Sequence, residues 1–181
     1  AMGARVLVPD FFRGRHAGEL KEFTPEAIGK FIGECGTWDR VRADLLQKLL
    51  PFIGGGKKLH WLGFCWGGKM TMEMAADEDI ARSFASMGGI HASLKNPTHD
   101  LSNASKARVP IMLIQAGNDA DVKPVYEALC EGKYVTSGHV CRTFFEQKHG
   151  FCGARGDRSD PLVMEAVRAA LAMSVAFFAR V

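Results

Sequence analysis

The sequence predicts an α/β fold in which a mostly parallel sheet carries helices on both faces. Three observations predict it. Short apolar runs alternate with stretches of helical periodicity. A glycine-framed cysteine, Cys65, stands where an apolar run gives way to a helix. An aspartate, Asp119, and a histidine, His149, each follow a later apolar run. Strand and helix in alternation imply parallel βαβ units.

The elements follow in order. Residues 5–9 form a short apolar run closed by Pro9-Asp10, read as a first strand. Thr24 is a candidate N-cap with Pro25 at the first helical position. Trp38, Val41, Leu45 and Leu49 recur at helical spacing, so a second helix runs to about Phe52 and stops at Gly54-Gly55-Gly56. Residues 58–64 read as a strand and 69–76 as a helix opened by Gly67-Gly68. Residues 83–89 read as a buried strand, and the polar stretch 91–106 as an irregular excursion over the surface. Residues 109–116 are the most apolar strand, 121–132 a helix, 140–146 the last strand, and 161–180 a C-terminal helix. Neither an internal repeat nor an interdomain linker is visible, and one domain spanning 1–181 is expected at this length.

Composition narrows the function classes. Of 181 residues, 47% are hydrophobic and 24% charged, which excludes collagen-like, coiled-coil and disordered chains. The 23 Lys+Arg and 20 Asp+Glu are interspersed and leave a net charge of +3, so no nucleic-acid footprint is expected. The longest apolar run, 169–179, falls short of the ~20 residues that span a bilayer, so no membrane partner is expected. Five cysteines without a C-x-x-C pair argue against a disulfide framework and for a reducing, cytoplasmic compartment. His149 and Cys152 lie three apart, but no second pair with ligand spacing exists, so no metal is expected.

The sharpest motif is Gly63-Phe64-Cys65-Trp66-Gly67-Gly68, a G-x-C-x-G between strand and helix. It is the nucleophile elbow of α/β-hydrolases with Cys in place of Ser. So tight a turn strains the backbone of the nucleophile, and glycines two residues before and after remove Cβ atoms that would clash. The elbow sets the sulfur at a helix N-terminus, which favours thiolate, and aims the Trp66 N–H at a developing oxyanion. Such hydrolases run nucleophile, acid, histidine along the chain. Cys65, Asp119 and His149 keep that order, each at the carboxyl end of a strand, where open α/β sheets bind ligands. Asp121 competes with Asp119 but is better placed to cap the following helix. For His16, His60, His91, His99 and His139 a surface or packing role is expected.

Four segments together resemble the dienelactone hydrolase family: Val8-Pro9-Asp10-Phe11-Phe12, the elbow hexapeptide, Ala116-Gly117-Asn118-Asp119, and His149-Gly150-Phe151. The resemblance runs along nearly the whole chain. It implies an α/β-hydrolase that cleaves small esters or lactones through a Cys-His-Asp triad and an acyl-cysteine, with no cofactor. It also implies arginines for a substrate carboxylate, here Arg13 and Arg155 with Arg15 and Arg158 as alternatives, and a pocket touched by Phe12, Trp66 and Phe151. The family fold carries further strands before the Pro-Asp strand. On that basis roughly 50–70 further residues are expected upstream, at ~30 per βαβ unit, and Ala1-Met2-Gly3-Ala4 is expected to be the end of a preceding helix, with a cloning remnant as the alternative. The expected partner is a small ester or lactone, and the expected state a monomer or homodimer. Two other readings stand beside this one: a non-catalytic member that binds a ligand or partner, and a redox-responsive thiol protein using Cys65, with Cys152 as the nearest candidate partner.

Overall fold

The computed structural model describes residues 3–22 and 24–180. The chain forms two compact units, Ala1–Lys57 and Lys58–Val181. The expectation placed on Ala1 and Met2 lies outside the described residues.

The first unit is helical. α1 (Pro25–Cys35) begins as expected, with Thr24 Oγ1 accepting from the Ala27 N–H at 3.2 Å. α2 (Trp38–Asp44) continues through a widened turn, Leu45–Leu49, into α3 (Leu50–Ile53). In the widened turn the Leu50 N–H reaches the Leu45 carbonyl. Pro51 explains it, because its missing N–H and bulky ring disrupt regular α pairing one turn back. Gly54 then ends the helix at φ 73°.

The strand expected at 5–9 does not form. This segment makes no ladder, and Val6 and Val8 are 79% and 89% exposed. An extended segment becomes a strand only when a neighbour takes up its backbone groups, and no described strand pairs with it. Asp10 instead closes a turn, its two carboxylate oxygens accepting from the N–H groups of Phe12 (3.1 Å) and Gly14 (2.6 Å).

The second unit holds the sheet: β1 (His60–Phe64), β2 (Ser86–Ile90), β3 (Ile111–Ala116) and β4 (Val140–Phe144), all parallel and in sequential order. Between them run α4 (Trp66–Ala76), α5 (Glu78–Ala81), α6 (Pro97–Ala104) and α7 (Lys123–Cys130), and α8 (Pro161–Ala179) closes the chain. Helices cover both faces, as expected. Adjacent glycines of β2 reveal the two sides. A Cβ on Gly88 would meet Leu62, Met112 and Phe178 of α8, whereas one on Gly89 would meet Gly68 of α4 and Leu113. Alternation along β3 follows the same division: Met112, Ile114 and Ala116 pack with Ala166, Val167, Ala170 and Phe177 of α8. α4, α6 and α7 form one contiguous layer, as crossovers of one hand between sequential parallel strands require.

Two further expectations are corrected. Residues 91–106 are not a surface excursion: α6 lies within them, and His91, Ala92, Leu94, Asp100, Asn103 and Ala104 are buried. The helix start was legible in Asn96-Pro97, because Asn96 Oδ1 accepts from the His99 N–H at 3.3 Å. The C-terminal apolar stretch is also longer than 169–179. α8 has 19 residues and a mean hydropathy of 1.8, so by length and composition alone it could cross a bilayer. In this unit its inner stripe completes the core against β3.

Candidate active site

The site begins with a strained residue. Cys65 follows β1 at φ 51°, ψ −110°, a conformation that costs a non-glycine residue on the order of 1–3 kcal/mol. Its neighbours hold it there. The Cys65 N–H donates to the Ile90 carbonyl (3.1 Å), and its own carbonyl accepts from the N–H groups of Lys69 (3.1 Å) and Ser93 (3.1 Å). Glycine is required at two places, and one differs from expectation. A Cβ on Gly63 would collide with the Gly67 carbonyl, and one on Gly68 with Ala92 (2.8 Å). A Cβ on Gly67 would meet nothing within 4 Å. The close approach is thus between helix α4 and the loop after β2, one residue later than the G-x-C-x-G pattern suggested.

The carboxyl ends of β3 and β4 are locked together. The Gly117 N–H donates to the Gln147 carbonyl at 2.9 Å, and a Cβ on Gly117 would strike the Phe145 backbone. In the turn that follows, Asp119 Oδ2 accepts from the Ala116 N–H (2.8 Å), while Asn118 Oδ1 accepts from the His149 N–H (2.6 Å). Asp119 Oδ1 then lies 2.5 Å from His149 Nδ1, and His149 Nε2 lies 3.2 Å from Cys65 Sγ. Three residues separated by 84 positions of chain form one hydrogen-bonded line.

The electrostatics follow from that line. The Cys65 thiol is drawn from 9.0 down to about 7. The His149 hydrogen bond is the main cause; burial opposes it, and Ser93 and the Trp66 N–H assist. His149 rises from 6.5 to about 9, chiefly because Asp119 accepts its Nδ1 proton, with Cys65 adding to the effect. Between pH about 7 and about 9 the favoured state is therefore a thiolate beside an imidazolium. Burial pushes Cys141 and Cys152 the other way, to about 11.

The other named residues have definite places. Asp121 Oδ1 accepts from the Lys123 N–H at 2.9 Å, but the N-cap of α7 is Val122, so the cap position expected of Asp121 falls one residue later. Phe151 is 2% exposed and packs between Phe144, His91 and α8, so it belongs to the core rather than to a substrate wall. Arg155 lies along Gly150, and Arg158 donates to the Cys152 carbonyl at 3.5 Å. In the first unit Arg13 pairs with both oxygens of Asp44 at 3.0 Å and lines an open groove of about 430 Å³ with Phe11, Leu49 and Phe52. There, too, Phe12 stacks edge-on against Phe31, and Arg15 pairs with Glu19 and Glu34. His60, His99 and His139 are engaged by Ser86, Glu73 and the Ile111 N–H. Among the described residues no group of three or more His, Cys, Asp or Glu could hold a metal.

Sequence reasoning missed Ser93, and it gave His91 a surface or packing role without placing it beside His149. Ser93 Oγ lies 3.3 Å from Cys65 Sγ. His91, at φ 38° and 2% exposed, sets its ring edge-on to His149 with centroids 5.0 Å apart. Its pKa falls to about 4, first through burial and then through the neighbouring His149. No motif announced either residue; the strand register places them. Phe64 pairs with Ile90, so the residues just after each strand must be neighbours.

A parallel sheet with a strained cysteine turn at the carboxyl end of β1, and with aspartate and histidine turns after β3 and β4, has the architecture of an α/β-hydrolase. The family model for the dienelactone hydrolase family matches residues 1–181, and the chain belongs to that family. It is thus a hydrolase of the dienelactone hydrolase kind, with a small molecule as substrate. No curated protein matches the chain.

Proposed function

We propose that this protein hydrolyses small carboxylic esters or lactones through Cys65, His149 and Asp119, by way of an acyl-cysteine. One observation carries the reading: the continuous line from Asp119 Oδ1 through the His149 ring to Cys65 Sγ. The thiolate attacks the carbonyl carbon. As the S–C bond forms, the π pair moves to oxygen, and the Trp66 N–H at the head of α4 donates to that oxyanion. Collapse of the tetrahedral adduct breaks the bond to the leaving oxygen, which takes the proton from His149 Nε2. The now neutral His149 withdraws a proton from water, water attacks the thioester, and the second collapse expels the Cys65 thiolate. Throughout, Asp119 holds Nδ1 protonated, so Nε2 is the nitrogen that exchanges protons.

Turnover of p-nitrophenyl acetate by wild type and Cys65→Ala tests the reading. Intact mass after rapid acid quench should show an acetyl adduct, an acylated Cys65, on wild type only. The variant should lose nearly all turnover. Equal turnover by the two would remove Cys65 from the mechanism.

A further inference from the structure

The loop after β2 is bound to the nucleophile turn by more than packing. Cys65 makes two backbone hydrogen bonds here, one to the end of β2 (Cys65 N–H to Ile90 O) and one from the loop (Ser93 N–H to Cys65 O), each 3.1 Å. Gln115 Nε2 donates to the Ala92 carbonyl at 3.1 Å from β3. Ala92 in turn fills the space a side chain on Gly68 would need. The position of Ser93 is therefore fixed by β1, β3 and α4 together, and it places Oγ on the sulfur.

We propose that the Ser93 hydroxyl is a second donor, beside His149, that holds Cys65 as a thiolate. This rests on the reading of Cys65 as the nucleophile. A hydroxyl can donate or accept. Beside an imidazolium–thiolate pair the sulfur carries no proton, so Oγ–H must be the donor. The proton stays on Oγ, and no bond to that oxygen is made or broken. Once the sulfur is acylated it becomes a weak acceptor, so Ser93 stabilises the resting pair more than the acyl-enzyme. The titratable group facing the sulfur is His149, with Asp119 behind it, and His91, neutral above about pH 4, flanks the His149 ring.

The role has a signature that mere packing would not give. Without the hydroxyl, fewer Cys65 thiols ionise, but each thiolate is more basic and more nucleophilic. The test is the rate of iodoacetamide alkylation of Cys65, localised by peptide mass, from pH 5 to 10. It is run on folded wild type, Ser93→Ala, Ser93→Thr and His149→Gln. We expect a wild-type midpoint near 7 and an upward shift of about one unit in Ser93→Ala, the size of one lost hydrogen bond to a charge. Well below both midpoints, the tenfold loss of thiolate is partly offset by its higher intrinsic reactivity, leaving a fall of about three- to fourfold. Above both midpoints the variant should react about threefold faster, so the two curves cross. Ser93→Thr, which keeps the hydroxyl, should move back toward wild type. If Ser93→Ala does not fold, Ser93→Gly carries the same expectation. A Ser93→Ala midpoint equal to that of wild type, while His149→Gln moves upward, overturns the Ser93 proposal and leaves the nucleophile standing. An ordinary midpoint in wild type that His149→Gln does not change overturns the ion pair, and the proposed function with it.

Discussion

Asp119→Asn is the perturbation that tests the site most sharply. One carboxylate oxygen receives the Ala116 N–H at 2.8 Å and the other faces His149 Nδ1 at 2.5 Å. Asparagine can satisfy the backbone donor only with its carbonyl oxygen, which turns its NH₂ toward Nδ1. Nδ1 must then accept, and the ring proton moves to Nε2, the nitrogen that should exchange protons with leaving group and water. The charge-assisted hydrogen bond is lost as well, worth roughly 1.5–3 kcal/mol, or about one to two pKa units on His149. His149 would fall from about 9 toward 7–8, and Cys65 would rise from about 7 as its partner weakens. The wild-type profile of kcat/KM should rise through about pH 7, as the sulfur ionises, and fall through about pH 9, as the imidazolium loses its proton. In Asp119→Asn the two limbs should converge. At the upper end of the range above, kcat/KM at pH 7.5 should fall about 10²-fold. The assay is p-nitrophenyl acetate hydrolysis across pH, with circular dichroism to verify folding. A folded variant within about threefold of wild type, with both limbs unmoved, would refute the assignment of Asp119.

Two further perturbations read the packing around the line. Gly117→Ala drives a Cβ into the Phe145 backbone and should cost about 3 kcal/mol or more, whereas Gly67→Ala meets nothing within 4 Å and should change stability by less than about 1 kcal/mol. Urea unfolding measures both, and equal losses would contradict the geometry. His91 has a folded pKa of about 4 against 6.5 in the open chain, so the unfolded state takes its proton first. Stability from this group is complete above pH 6.5 and is lost as pH falls, by about 2 kcal/mol between pH 6.5 and 4.5. Neither ring nitrogen of His91 has a hydrogen-bond partner among the described residues, so His91→Phe keeps the packing and should flatten this acid limb. An unchanged slope would show that His91 is not buried neutral.

Much of the fold was legible because parallel βαβ units write themselves locally. Val109 to Ala116 is apolar but for Gln115 because β3 is buried on both faces. Thr24-Pro25 marks a helix start that the structure bears out, with Thr24 as cap, and the helix read from residue 161 begins at Pro161. The first strand was misread for the opposite reason. The apolar, β-branched run in residues 5–9 records a preference, while a strand needs a partner elsewhere in the chain. The stretch 91–106 was misread because its polar residues, Asp100 and Asn103, are buried in contacts with neighbours that spacing does not reveal. Asn103 Nδ2 donates to Glu73 Oε2 of α4 at 3.0 Å.

The sequence by itself determined the α/β alternation, the elbow and the order Cys65, Asp119, His149, because each depends on a turn whose glycines and neighbours lie within a few residues. It could not decide distance. That Cys65 and His149 meet across 84 residues depends on four strands in parallel register, which bring separate turns to one edge of the sheet. The same register decided what no motif announced. Phe64 lies opposite Ile90, so the next residues of both strands share one turn's space, and Ser93 arrives at the sulfur.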